Sequence, residues 1–420
     1  MERNNILMNF EILKGTKDYE SKEQIKINEI LKTIQTSFES YGFRPFDTPL
    51  IEYFETLTNK YDEDAEIVGE IFQLSDRGNR KLGLRYDLTV PLCRYIASNK
   101  QLKKPFKRYQ IGKVFRDGPI KKGRLREFIQ CDGDVIGISG IEIEAELLKL
   151  FFDTYRKIGI KGILEINNNK ILRGALLQNN FKEKDLSSII LSIDKLKKIG
   201  ESGVLKEIED KGFQSKLIKS TIEILSSKTI TEIRNKAKNS LLLEGINELE
   251  ELINLIKIQN IDYRINFAMS RGLDIYTGNI WEAYDKNEKI SSSIGSGGRY
   301  DKVIGNYIGS QEEIPACGIS FGLIPILACF NQKNQKEGLT NLLIVPLEKE
   351  LVPKAFELAQ KFRDKGENVE ISYDYKLKKA FLYTDYLEIE KLIVIGKKDI
   401  ENGEFILKNL KSKKEEKIKF

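Results

Sequence analysis

Between residues 70 and 138 the chain breaks into short β-type runs, EIFQLSD, KLGLRYDL, RYQIGKVF and EFIQCDGDVIG, divided by turns rich in Gly, Pro and charge. Runs of that length and spacing predict an antiparallel sheet and not βαβ repetition. Ahead of them, Ser21-Lys22-Glu23-Gln24 fits a capping box. Ile27, Ile30, Leu31, Ile34 and Phe38 then follow helical spacing until Gly42. The stretch FRPFDTPLIEYFETL carries Pro45 and Pro49 in an extended, aromatic-rich setting. Residues 141–158 read as an amphipathic helix ended by Gly159.

Residues 172–258 hold many Lys, Glu, Ile and Leu, no proline and little strand signal, which predicts a helical insertion. Strand-like runs resume at RINFAMS and NIWEAY, followed by the glycine-rich GSGGRYD. A linker is expected over 331–340, around KNQKEGLT. Beyond it LLIVP, a helix near 352–364, VEIS, a helix near 376–387 and KLIVIG alternate as in a small α/β domain. Asn402-Gly403 suggests a terminal hairpin. The fold class expected is α+β, with domains over 1–330 and 341–420.

The chain contains no histidine, which excludes Ser-His-Asp chemistry, imidazole bases and zinc–histidine sites. Catalysis has to rest on Arg, Lys, carboxylates, amides, Tyr or a bound metal ion. The four cysteines (Cys93, Cys131, Cys317, Cys329) are scattered without a CxxC pair, so neither a zinc site nor a disulfide framework is expected. The net charge of +6 permits a polyanionic partner without establishing one. No apolar run reaches membrane-spanning length and the first residues lack a signal-peptide core, so the cytoplasm is the default location.

The densest polar constellation is residues 108–137, RYQIGKVFRDGPIKKGRLREFIQCDGDVIG. A strand carrying Arg116 enters a basic loop with Lys121, Lys122 and Arg124. The next strand alternates Arg126, Phe128, Gln130 and Asp132 on one face. Arginines pair bidentately with phosphate oxygens and an aromatic face stacks on a base, so this surface suits a nucleotide. Taken alone, the same pattern also describes a solvated hairpin.

The segment resembles motif 2 of class II aminoacyl-tRNA synthetases in its histidyl form. RGLDIYTGNIWEAY (271–284) and SSIGSGGRYDKVIG (292–305) resemble the two histidyl-specific signatures. GTKDY (15–19) and LGLRYDLTVPLCRY (82–95) fit as well, and the proline-bearing strand around Pro49 resembles motif 1, which builds a dimer interface in that family. The resemblance runs over nearly the whole chain. It implies a class II antiparallel sheet flanked by helices, a helical insertion and a C-terminal anticodon-binding domain. The implied activity is histidine–tRNA ligation through a histidyl-adenylate, with ATP, L-histidine and tRNA(His) as partners, Mg²⁺ held largely through the nucleotide and water, and a homodimer.

Carried over by resemblance, Arg116 and Arg271 are the catalytic arginines at the α-phosphate. Arg116, Arg124, Phe128 and Arg271 bind ATP, with Phe128 against adenine. Asp87, Thr89, Gln130, Asp134, Tyr276 and Tyr300 bind histidine. Lys121 and Lys122, with Lys376, Lys378 and Lys379 of the last domain, meet tRNA phosphates. No protein side chains are expected to hold a resident metal. The chain departs from the family in motif 3: within CGISFGLIPILACF, Ile324 and Pro325 stand where an acidic residue and a γ-phosphate arginine are common. A nearby cation such as Lys121 or Lys122 would have to take that place. Gly118 and Ile275 replace a common glutamate and tyrosine. Two rival readings share this fold: a non-catalytic regulatory subunit of ATP phosphoribosyltransferase, and a sensor of uncharged tRNA.

Overall fold

The computed structural model describes residues 10–59, 66–99, 101–120, 125–270, 275–310, 312–330 and 338–419. The chain divides into two compact units, one built mainly from residues 29–330 and the other mainly from 331–420.

The larger unit is organised by an eight-stranded sheet. Its order is Arg44–Pro45, Phe106–Phe115, Glu127–Ile136, Ala316–Gly322, Gly295–Arg299, Asn279–Asp285, Gly162–Asn168 and Tyr263–Ile265. The six central strands pair antiparallel and each edge strand pairs parallel. The long hairpin is in register with Arg108 opposite Asp134, Gln110 opposite Asp132, Gly112 opposite Gln130 and Val114 opposite Phe128. Because side chains alternate across a strand, this register puts all the even-numbered polar residues on one face.

The opposite face is covered by helices. Helix Ser21–Ser40 buries Ile30, Ile34 and Phe38, and helix Glu142–Ile158 ends on Gly159 at φ 84°. Phe38 stacks on Tyr109 and meets Phe321 edge-on, with centroids 5.4 and 5.6 Å apart. Phe151 lies 4.6 Å from the same Phe321. Gly133 lets Phe38 reach the sheet: a β-carbon there would sit 2.2 Å from the ring.

The four β-type runs do not form one sheet. Gln73–Ser75 and Lys81–Leu84 join Ile51–Tyr53 in a separate three-stranded sheet, and only the last two runs enter the main one. The intervening TVPLCRYIAS is a helix, Thr89–Ser98. The glycine-rich GSGGR is a central strand. Its glycines face occupied space, since a β-carbon on Gly295 would meet Phe151 and one on Gly297 would meet Trp281 and the Gly318 carbonyl. Close packing thus overrides the low strand propensity of glycine.

From Asn169 to Ile258 the chain is helical apart from its connections, with helices Asn169–Gln178, Leu186–Ile193, Leu196–Asp210, Ser215–Leu225, Ile230–Lys236 and Ser240–Ile258. Helices Asn169–Gln178 and Ser240–Ile258 approach backbone to backbone at Gly174 and Gly245.

The smaller unit is a five-stranded sheet ordered Val369–Ile371, Leu342–Pro346, Lys391–Ile395, Glu404–Asn409, Glu415–Lys419. The first three strands are parallel and the last two add antiparallel. Helices Val352–Arg363 and Leu377–Tyr386 make the crossovers. The terminal hairpin exists, but Asn402-Gly403 is not its turn. Gly403 instead ends helix Lys397–Asn402 in the left-handed conformation at φ 63°, a geometry that suits a helix terminus as well as a tight hairpin.

Gly133→Ala forces a methyl into the Phe38 ring and is expected to destabilise the larger unit by about 1–3 kcal/mol, the range for overpacking. A lowered denaturant midpoint for the unfolding of that unit checks it, and an unchanged midpoint contradicts the packing described.

Candidate active site

The polar face of the sheet is cleared of bulk. Continuing the hairpin register, Gln130 lies opposite Gly322, Asp132 opposite Ser320 and Asp134 opposite Gly318. Gly318 in turn lies opposite Gly298. A β-carbon on Gly318 would stand 2.3 Å from Asp134 Oδ1, and one on Gly298 would stand 2.7 Å from the Tyr276 ring. The glycines leave room for carboxylate and phenol groups directly above the backbone.

At the centre is Arg108, fully buried. Its Nη2 lies 2.7 Å from Asp134 Oδ2 and donates to the Leu88 carbonyl at 3.2 Å. Tyr300 donates its hydroxyl to Asp134 Oδ1. Ser320 donates to Asp132 Oδ1 at 2.5 Å. Asp87 Oδ1 accepts the Val90 amide at 2.9 Å and so holds the start of helix Thr89–Ser98. The charges of Asp87 and Asp134 both act on Asp132. Burial, reinforced by Asp134, pushes the Asp132 carboxyl up to about 7, against the opposing pull of Arg108 and the Ser320 hydroxyl. Burial also raises Asp134, with Arg108 and Tyr300 pulling it back.

Two acceptors here lack a hydrogen-bond donor among the described residues: Gln130 Oε1 and Asp134 Oδ2, the latter facing Arg108 without hydrogen-bond geometry. Asp132 and Asp134, both buried, feel the charge of the one Arg108 guanidinium, which pairs with Asp134. Unmet acceptors and surplus negative charge suit a cationic ligand rich in N–H donors.

Along the same face, at the loop end of the hairpin, stands Arg116. Its Nε donates to the Tyr86 carbonyl at 3.0 Å, and its guanidinium lies over the Phe128 ring, 5.2 Å from the centroid. The cation is thereby fixed while its terminal nitrogens remain able to meet an anion, beside an aromatic surface. One site therefore offers an anion-binding end and a cation-binding end.

Comparison with known proteins names this arrangement. Residues 15–326 match the family model described as histidyl-tRNA synthetase, and residues 341–420 match the anticodon binding domain. The chain belongs to the histidyl-tRNA synthetase family. Histidine–tRNA ligase 1 of Bacillus cereus is 38% identical, covering 98% of each chain. Histidine–tRNA ligase 2 of Shouchella clausii is 37% identical, again with 98% of each covered. Among solved structures, histidyl-tRNA synthetase from Nostoc sp. PCC 7120 superposes with a TM-score of 0.83 at 28% identity, over 98% of this chain and 97% of that one. A Bacillus halodurans structure described as an ATP phosphoribosyltransferase regulatory subunit/histidyl-tRNA synthetase has a TM-score of 0.78 over 92% of this chain and 98% of that one. At 18% identity it shows a shared fold.

Against the residues expected from sequence, the structure brings Asp134 and Tyr300 into contact and places Gln130 two alternations away on the same strand. It sets the Tyr276 ring over Gly298 and joins Arg116 with Phe128. Thr89 is the first residue of its helix, next to the Asp87 cap. Arg124, Arg271, Lys121 and Lys122 lie outside the described residues. Lys376, Lys378 and Lys379 are exposed in the smaller unit, Lys379 paired with Asp374 at 3.1 Å. The sequence reading gave no role to Arg108 or Ser320. Arg108 shares the parity of Gln110 in RYQIGKVF, but its meeting with Asp134 depends on hairpin register, which composition does not reveal. Ile324 and Pro325 occupy the first turn of helix Leu323–Cys329, where a proline removes no helical hydrogen bond.

The raised Asp132 carboxyl has a signed consequence. The folded state holds its proton more tightly than the unfolded chain, so the linked stability is full below about 4 and lost as pH rises to about 7. Asp132→Asn removes that loss. Its stability relative to the parent is expected to rise across pH 4–7 in denaturant titrations, and parallel profiles contradict the assignment.

Proposed function

We propose that the chain activates histidine with ATP and transfers it to tRNA(His), on the polar face that carries Arg116 at one end and Asp134 at the other. The observation that carries the reading is the buried acidic cluster around Arg108, with unmet acceptors on Gln130 and Asp134, on a chain whose relatives are histidine–tRNA ligases over its full length. An ammonium and two imidazole nitrogens supply the donors those acceptors lack. A site built from such groups rejects analogues that leave them unpaired, by roughly 10⁴.

The substrate carboxylate is already an anion at neutral pH, so attack on the α-phosphorus needs no general base and the missing histidines are no obstacle. Arg116 is placed to neutralise charge developing on the α-phosphate, and Phe128 offers its ring to adenine. By resemblance Arg271 completes that pair and Arg124 belongs to the loop over ATP, while a nearby cation such as Lys121 or Lys122 takes the place of the one missing from motif 3. Among the described residues no group of three or more potential metal ligands exists. By resemblance, Mg²⁺ arrives on the nucleotide, held largely by phosphates and water.

Residues 341–420 serve as the anticodon-binding domain, residues 331–340 as the linker and residues 1–330 as the catalytic domain. Lys379 lines a cavity together with exposed Tyr373 and Tyr386, a cation beside faces on which bases stack, and Lys376 and Lys378 are exposed on the same stretch of chain. A homodimer formed around Pro49 and a cytoplasmic location belong to the same reading, and among the described residues no helix is long and apolar enough to cross a membrane.

Incubated with ATP, labelled histidine and tRNA(His), the purified protein is expected to transfer label to the tRNA. Arg116→Ala is expected to lower kcat about 10²–10³-fold, as for loss of one donor to developing charge. Folded protein that charges no tRNA would favour the regulatory-subunit or sensor reading instead.

A further inference from the structure

The loop carrying Tyr276 is supported unevenly. On the site side the Tyr276 ring lies against Gly298 and joins an apolar cluster with Tyr300. On the other side is a cavity of about 620 Å³ whose lining includes Tyr276, Thr277, Asn169, Lys170, Glu244 and Glu248. Along the cavity the described part of the loop is held by backbone hydrogen bonds, among them one from the Thr277 amide to the Arg299 carbonyl at 2.8 Å. Two come from one residue. The Asn169 side-chain amide donates to the Tyr276 carbonyl at 2.5 Å, and the Asn169 backbone amide donates to the Gly278 carbonyl at 2.9 Å.

Asn169 is the first residue of helix Asn169–Gln178, and that helix is rigidly seated. It packs closely against helix Ser240–Ile258 at Gly174 and Gly245, where a β-carbon would meet backbone atoms of Leu242 and Ile171. Asn168 caps it by accepting the Lys170 amide at 2.9 Å, and its own amide group donates to Glu248 at 2.8 Å and to Asn279 at 2.9 Å. Asn279 continues to Glu144 at 2.7 Å, the buried partner of Arg299. The cap is thus Asn168, leaving the Asn169 side chain free of any duty in starting the helix. Its contact runs to the loop that presents Tyr276.

We propose that Asn169 is a positioning residue for the amino-acid pocket, transmitting the placement of the helical insertion to Tyr276 through the carbonyl of that residue. The proposal rests on reading Tyr276 as part of the histidine site. Without the Asn169 donor the loop relaxes toward the cavity and the Tyr276 ring loses its fixed seat, whereas the ATP end of the face, held by Tyr86 and Phe128 around Arg116, is untouched.

The test is steady-state ATP–pyrophosphate exchange by the full-length protein carrying Asn169→Ala, Asn169→Ser or Tyr276→Ala, and the Asn169→Ala/Tyr276→Ala pair. Asn169→Ala is expected to raise the KM for histidine about tenfold, the worth of one hydrogen bond, while the KM for ATP and kcat stay within about threefold. Asn169→Ser, which keeps a donor, is expected to recover part of the loss. In the Tyr276→Ala background the Asn169→Ala change is expected to add nothing, because its effect passes through Tyr276. Equal rises in both KM values, no change in either, or an undiminished effect in the Tyr276→Ala background would overturn the proposal. A parent protein that activates no histidine would overturn the site reading itself, and the proposal with it.

Discussion

A guanidinium with no solvent exposure has to be met by negative charge and carbonyl oxygens, and Arg108 is met by Asp134 and the Leu88 carbonyl. Breaking such a pair by removing one partner costs about 3–5 kcal/mol, because the other charge is left buried alone. The rest of the site depends on this pair. It keeps Asp134 in place for the Tyr300 hydroxyl and lies within reach of Asp132, while Gln130 Oε1 on the same strand has no donor among the described residues. The buried carboxylates are tolerated in the core because Arg108 supplies compensating charge.

The two faces of one sheet divide the labour. The odd-numbered positions pack aromatic side chains against two long helices, which fixes the register. That register lines up Phe128, Gln130, Asp132 and Asp134 on the other face, where glycines on the neighbouring strands clear the space above them. A slip of one residue would exchange the faces and bury the carboxylates against Phe38 and Phe151. Stability and chemistry are therefore set by the same alternation.

Periodic features were readable from the sequence: the helix ending at Gly159, the α/β alternation after residue 340, and the polar alternation of the second hairpin strand. What escaped depends on contacts distant in sequence. GSGGR looks like a turn because glycine resists strands, and only the Trp281, Phe151 and Tyr276 rings around it explain why nothing larger fits. Asn402-Gly403 supports a left-handed residue either way, and the local sequence does not say whether a helix or a strand precedes it. The site residues that carry family signatures were legible through resemblance. Arg108, Ser320 and Asn169 were not, since each acts through a partner more than twenty residues away.

The most direct measurement is ATP–pyrophosphate exchange by the purified protein across the twenty amino acids. The account predicts exchange that depends on histidine, with the others, including the similarly sized glutamine and phenylalanine, near background. Exchange with several amino acids alike, or none with any from folded protein, would contradict the claim that the acidic pocket around Arg108 selects histidine.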